Sequence, residues 1–151
     1  MLLEDEIKGR FRNEYHKGLI NLTYTTKLLG YEFYQALKKH NITEQQYNVL
    51  RILRGYRDQA PLTIGFIKER MLDKDSDVSR LVDRLYRNKY LSRCENEVDR
   101  RQKSVAIADK GLELLNSMLE CEKKVDKLLA NLTDEEVKQL NYLLDKIRAK
   151  S

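Results

Sequence analysis

The chain of 151 residues has one proline, no tryptophan, two cysteines and six glycines. So little proline and glycine excludes a turn-rich sandwich and favours long uninterrupted helices. Cys94 and Cys121 are too few for a disulfide framework, which places the chain in a reducing compartment, the cytoplasm. No run of about 18 apolar residues appears, so no membrane-spanning helix is expected. The N-terminal MLLEDEIKGR carries acids where a signal peptide needs an apolar stretch, which argues against export. His16 and His40 have no ligand partners at metal spacing and there is no CxxC, so no metal site is expected. Glycine-rich phosphate loops, nucleophile elbows and paired catalytic carboxylates are all missing. The sequence therefore predicts a protein that is not an enzyme and needs no cofactor.

Charge is plentiful and unevenly placed. The chain has 29 Lys+Arg against 24 Asp+Glu, a net charge of +5. Residues 51–103 hold 14 basic and 9 acidic residues, and the remainder holds 15 of each. The whole excess lies in the middle third, as expected of a nucleic-acid surface. A length of 151 residues suits one domain, or a small core with helical extensions.

Apolar periodicity supplies the elements. Ile7, Phe11, Tyr15, Leu19, Leu22, Leu29, Phe33 and Leu37 recur mostly at steps of four or seven, predicting one long helix over about 6–39. Thr43 and Gln46 form a capping-box pattern that opens a second helix, which Gly55 ends. Thr63 can cap a third helix through Met71, after a connector marked by Pro61. Asp75 or Ser76 is expected to cap a fourth, DVSRLVDRLYRNKYL. LSRCEN and SVAIAD have strand character, and the polar EVDRRQK between them predicts a hairpin with a charged tip. Helical spacing returns after Gly111, and Thr133 with Glu136 makes a second capping box before the last helix.

The fourth helix divides sharply. With Arg80 at zero and about 100° per residue, Val78, Leu81, Val82 and Leu85 fall between about 100° and 200°. Arg84 and Arg87 fall at about 40° and −20°. One face is aliphatic and the opposite one carries three arginines. Such a helix can dock on its neighbour and enter a major groove, where the arginine fork bonds guanine O6 and N7 or clamps a phosphate. Ser76, Asp77 and Ser79 lie near its N-terminal end, where base edges are met. The hairpin tip adds Asp99, Arg100, Arg101 and Lys103. A basic tip suits the negative potential of a narrow minor groove.

The stretch from Pro61 to Gly111 resembles the winged helix-turn-helix of the MarR (multiple antibiotic resistance regulator) family. The resemblance rests on FIKERM, VSRLVDRLYRNKYLSR, the D-x-R wing motif at Asp99-Arg100-Arg101, and VAIADKG. The flanking helices match as well, so it covers nearly the whole chain. It implies a mainly α fold with a small β-wing, in the order α-α-α-α-β-β-α-α, with long N- and C-terminal dimerisation helices. Residues 41–110 would form the DNA-binding domain, and 6–40 with 111–150 the dimerisation region. It also implies an obligate homodimer on palindromic double-stranded DNA, acting as a transcriptional regulator. By motif position, Arg101 would be the minor-groove residue and Asp99 its orienting partner. Two departures stand out. Ala108 replaces the family's usual threonine, which moves the expected cap of the next helix to Asp109. Asp77 replaces a common Thr or Ser, and either reads a cytosine amino group or caps and orients the helix.

The apolar stripes at both ends exceed what a core of about 60 residues can bury, and leftover stripes usually mark an interface. Nine tyrosines accompany them. Family members bind small aromatic or anionic effectors near the junction of dimer helices and DNA-binding lobe. Tyr15, Tyr24, Tyr31 and Tyr47 with Arg51 or Arg54 would line such a pocket, or else the tyrosines pack the interface. The expected function is thus a homodimeric, sequence-specific repressor released by a small effector. The alternatives are a winged-helix protein-interaction module, or a redox-responsive regulator using Cys94 or Cys121.

Overall fold

A computed structural model of the chain describes residues 1–95 and 103–149. It forms two compact units, Met1–Phe33 with Cys121–Ser151, and Tyr34–Glu120. The elements run α1 (Leu3–Ile7), α2 (Glu14–Lys39), α3 (Glu44–Gly55), β1 (Leu62–Thr63), α4 (Ile64–Arg70), α5 (Val78–Arg87), β2 (Leu91–Glu95), β3 (Lys103–Ile107), α6 (Asp109–Ser117), α7 (Leu119–Asp126) and α8 (Asp134–Arg148). The fold is mainly helical with a small antiparallel sheet, as expected.

Caps explain most boundaries. Thr43 and Thr133 head complete capping boxes with Gln46 and Glu136. Thr63 Oγ1 accepts from Phe66 N at 3.1 Å and opens α4. Several details differ from the sequence reading. The N-terminal stripe is two helices, because Lys8 takes a left-handed φ of 51° and Asn13 Oδ1 accepts from His16 N to start α2. Asp77, rather than Asp75 or Ser76, caps α5 by accepting from Arg80 N at 3.2 Å. Asp109 does not cap α6: Ala108 holds the cap position with no side-chain bond, and Asp109 is the first helical residue. There its charge still favours the positive helix end. The helix after Gly111 breaks at Met118, next to Ser117, whose hydroxyl donates to Leu114 O at 2.6 Å. Leu62, beside the connector marked by Pro61, and Thr63, the expected cap of α4, also form a short third strand.

The sheet order is β1-β3-β2. Leu91 pairs with Ile107, Arg93 with Val105 and Glu95 with Lys103. The core of the Tyr34–Glu120 unit is built from Leu37, Val49, Leu50, Leu53, Ile67, Met71, Val82, Leu85, Val105, Leu115 and Met118, all nearly inaccessible. The other unit contrasts with it: among its described residues, Leu3 alone is a buried hydrophobic. Tyr15, Leu19, Leu22, Leu28 and Tyr31 on α2 and Tyr142, Leu143 and Ile147 on α8 are exposed.

Candidate nucleic-acid interface

Helix α5 packs against α3, α4 and β2. Val78, Val82 and Leu85 are at most 2% exposed. Each such aliphatic contributes roughly 1.5–3 kcal/mol on burial, so this face holds the helix in place. Arg80, Arg84 and Arg87 are exposed, with Ser79 beside them. Among the described residues, none of the three arginines has an ion-pair partner. The angular division read from the sequence is thus realised in space, with Leu81 half-buried at the margin.

Both ends of α5 are held. At its start, Asp77 caps the helix, Asp73 Oδ1 accepts from Asp75 N at 3.0 Å, and Asp73 Oδ2 accepts from Gln45 Nε2 at 2.7 Å. Asn48 Oδ1 accepts from Leu72 N at 2.9 Å, so the turn between α4 and α5 is tied to α3. Ser76 is buried, and its Oγ has no hydrogen-bond partner among the described residues. A hollow of about 380 Å³ beside it is lined by Thr43, Gln45, Asp75, Asp77, Arg80 and Arg84, among others.

At the far end, Lys89 adopts a left-handed φ of 65°. Tyr90 N donates to Leu85 O at 2.9 Å and Lys89 N to Tyr86 O at 3.0 Å, the paired bonds of a Schellman stop. Lys110 Nζ donates to Asn88 O at 2.7 Å and lies 4.4 Å from the Tyr90 ring centroid. Arg93 on β2 pairs with Asp83 of α5, its guanidinium 4.2 Å from the Tyr86 ring centroid. Sequence reading missed Gln45, Asn48, Asp73, Asp83, Arg93 and Lys110. No spacing rule joins residues 10 to 28 positions apart, so only an acid-base count could have hinted at the ion pair.

Lys103 is exposed on β3. Asp99, Arg100 and Arg101 lie outside the described residues. The residues expected to line an effector pocket divide between the two units. Tyr15 and Tyr31 are exposed on α2. Tyr24 is half-buried, and its hydroxyl bonds the Glu6 carboxylate, which raises the phenol above its usual range. Tyr47 is buried in the core of the second unit, while Arg51 on the same helix is exposed. A separate hollow of about 470 Å³ there is lined by Tyr34, Leu37, Lys38, Asn41, Ile42 and Thr43, and by neither Tyr47 nor Arg51. Cys94 and Cys121 are free, half-buried and in different units. Burial pushes the Cys121 thiol up, and the nearby Glu32 carboxylate adds to the shift. Among the described residues no group of His, Cys, Asp and Glu could hold a metal ion. No described helix is long and apolar enough to cross a membrane.

Two helices joined by a tied turn, the second with a free arginine face, followed by a strand pair fastened to it, define a winged helix-turn-helix protein. Residues 40–102 match the family model described as MarR family. Over that stretch the chain is similar to the MarR family. It is 29% identical over 117 residues to the HTH-type transcriptional repressor MdtR of Bacillus subtilis, covering 77% of this chain and 74% of MdtR. Two solved structures share the fold. The Staphylococcus aureus MepR–DNA complex superposes with a TM-score of 0.73 at 23% identity, covering 91% of this chain and 97% of that one. BpsR of Bordetella bronchiseptica, whose DNA binding is regulated by 6-hydroxynicotinic acid, gives 0.70 at 22%, covering 88% and 99%.

Proposed function

We propose that the chain is a homodimeric repressor that binds a palindromic operator and is released by a small aromatic or anionic ligand. The observation that carries this reading is the division of α5: its aliphatic face is nearly inaccessible, and its three arginines are exposed without ion-pair partners among the described residues. Ser79, Arg80, Arg84 and Arg87 would meet base edges and phosphates in the major groove. Asp77, with one oxygen engaged in the cap, orients the helix and offers its other oxygen. The burial of Ser76 removes its hydroxyl from direct contact and gives it the role of shaping the turn. Lys103 and the Asp99-Arg100-Arg101 motif would serve the minor groove. Dimerisation is supported by the apolar residues left exposed on α2 and α8. Two-fold symmetry would then place two recognition helices one DNA turn apart, roughly 34–36 Å. The DNA complex of MepR and the ligand control of BpsR support the partner classes.

The test is fluorescence anisotropy with a duplex from upstream of the protein's own gene and a scrambled duplex, across a salt series. A repressor binds the first more tightly and loses affinity steeply with salt, because each neutralised phosphate releases counterions. Weak binding to both duplexes with no salt dependence would overturn the reading in favour of a protein-interaction module.

A further inference from the structure

We propose that Arg93 is a positioning residue: paired with Asp83 and lying on the Tyr86 ring, it locks the first wing strand onto the recognition helix and does not bind phosphate. The inference rests on the reading that the α5 arginine face meets DNA. Arg93 belongs to the basic middle of the chain, where the simplest use of an arginine is a phosphate contact. Its surroundings assign it elsewhere. Its Nη2 is paired with the Asp83 carboxylate, and its guanidinium carbon lies 4.2 Å from the Tyr86 ring centroid. That distance is well inside the range of about 6 Å for an attractive cation–π contact. Asp83 and Tyr86 are three positions apart and neighbours on the helix surface, so one guanidinium engages both.

The choice of partner by Asp83 is the second part of the argument. It is the one acid within Val78–Arg87. On the helix it lies three residues after Arg80 and four before Arg87, spacings at which ion pairs form readily. It pairs with neither and takes Arg93 from the next element. Arg80 and Arg87 thereby stay available to DNA, and the strand is drawn against the helix. At the base of the wing the Lys110 contacts with Asn88 and Tyr90 make an independent fastening. Losing Arg93 therefore leaves the fold intact and frees the angle between strand and helix.

The test uses the full chain with Asp83→Asn, Arg93→Gln and the double variant. Binding is measured against the tightest duplex that wild type selects from a random pool, and against a scrambled duplex, over a salt series. Each single variant is expected to lower the selected-to-scrambled affinity ratio about tenfold, the scale of one half-exposed ion pair and one cation–π contact together. The double variant should lose no more than either single one. The slope of log affinity against log salt should stay at its wild-type value. A phosphate-binding Arg93 predicts the opposite: Asp83→Asn would bind as tightly or tighter, and Arg93→Gln would lower the slope by about 0.9. Either result overturns the proposal. Amide exchange of Ser92 to Glu95 in the free protein is the second readout. Asp83→Asn should speed it while leaving α5 unchanged, and unaltered exchange overturns the lock whatever the DNA result. Failure of wild type to select any duplex would sink the DNA reading instead.

Discussion

Gly111→Ala should destabilise the protein even though glycine is the poorer helix former. Gly111 lies in the first turn of α6 with an ordinary negative φ, so alanine meets no backbone penalty there. The obstacle is space. A Cβ at this position would sit 2.4 Å from Tyr90 O and 2.8 Å from Ile107 Cγ1, against about 3.5–4.0 Å for a comfortable carbon contact. Tyr90 O cannot retreat cheaply, because it accepts from Ala108 N at 3.1 Å and Tyr90 N closes the Schellman stop of α5. Overpacking of a tight site costs about 1–3 kcal/mol, and contact with backbone falls at the upper end. Removing a helical glycine returns about 1 kcal/mol. The net expectation is a loss of about 1–2 kcal/mol. Gly65→Ala is the control: it lies in the first turn of α4, nothing stands within 4 Å of its Cβ, and it should gain about 0.5–1 kcal/mol. Urea unfolding at fixed protein concentration reads both as shifts in midpoint at constant slope. A Gly111→Ala midpoint at or above wild type would refute the steric argument. A fall in both variants would show that glycine is needed for some other reason.

Three further outcomes are expected. Arg101→Ala should weaken operator binding by about 1–3 kcal/mol, with urea stability unchanged; equal affinity in a folded variant would remove the residue from the wing's DNA contact. Lys89→Gly should raise stability by about 0.5–1 kcal/mol in urea unfolding, because glycine relieves the left-handed strain and gives back part of the gain as chain entropy. Cys121 should react with a thiol reagent at pH 8 more slowly than free cysteine. Its raised pKa leaves less thiolate, and the rate should climb towards the free value as pH rises through that pKa. A rate above free cysteine would restore the redox reading.

Much of the architecture was legible in the sequence because it is written in local rules. Thr43 with Gln46 and Thr133 with Glu136 are four-residue signals, and both capping boxes form. The two faces of α5 follow from 100° per residue, and burial matches them. Local rules failed where two signals competed over a few residues. Asp73, Asp75, Ser76 and Asp77 are all good caps, and Asp77 won because Asp73 is tied to Gln45 and Ser76 is buried. The N-terminal stripe keeps helical spacing across residues 8–13, yet Gly9, a left-handed Lys8 and the Asn13 cap divide it. β1 is only two residues long and exists through its pairing with β3, which no periodicity announces.

The sequence by itself determined where the charge excess lies, which helix carries the arginine face, and that apolar stripes at the two ends exceed a small core. These depend on composition and on spacings of a few residues. Tertiary structure alone decided which charges are free. Asp83 has arginines at both helical spacings and pairs instead with Arg93, ten residues away, because the strand after α5 turns back along it. Tertiary structure also decided that Tyr47 is core while Tyr15 is exposed, and that Gly111 has no room for a methyl group. Each of these depends on what approaches from a distant part of the chain, and that approach is fixed by packing rather than by any residue's neighbours in sequence.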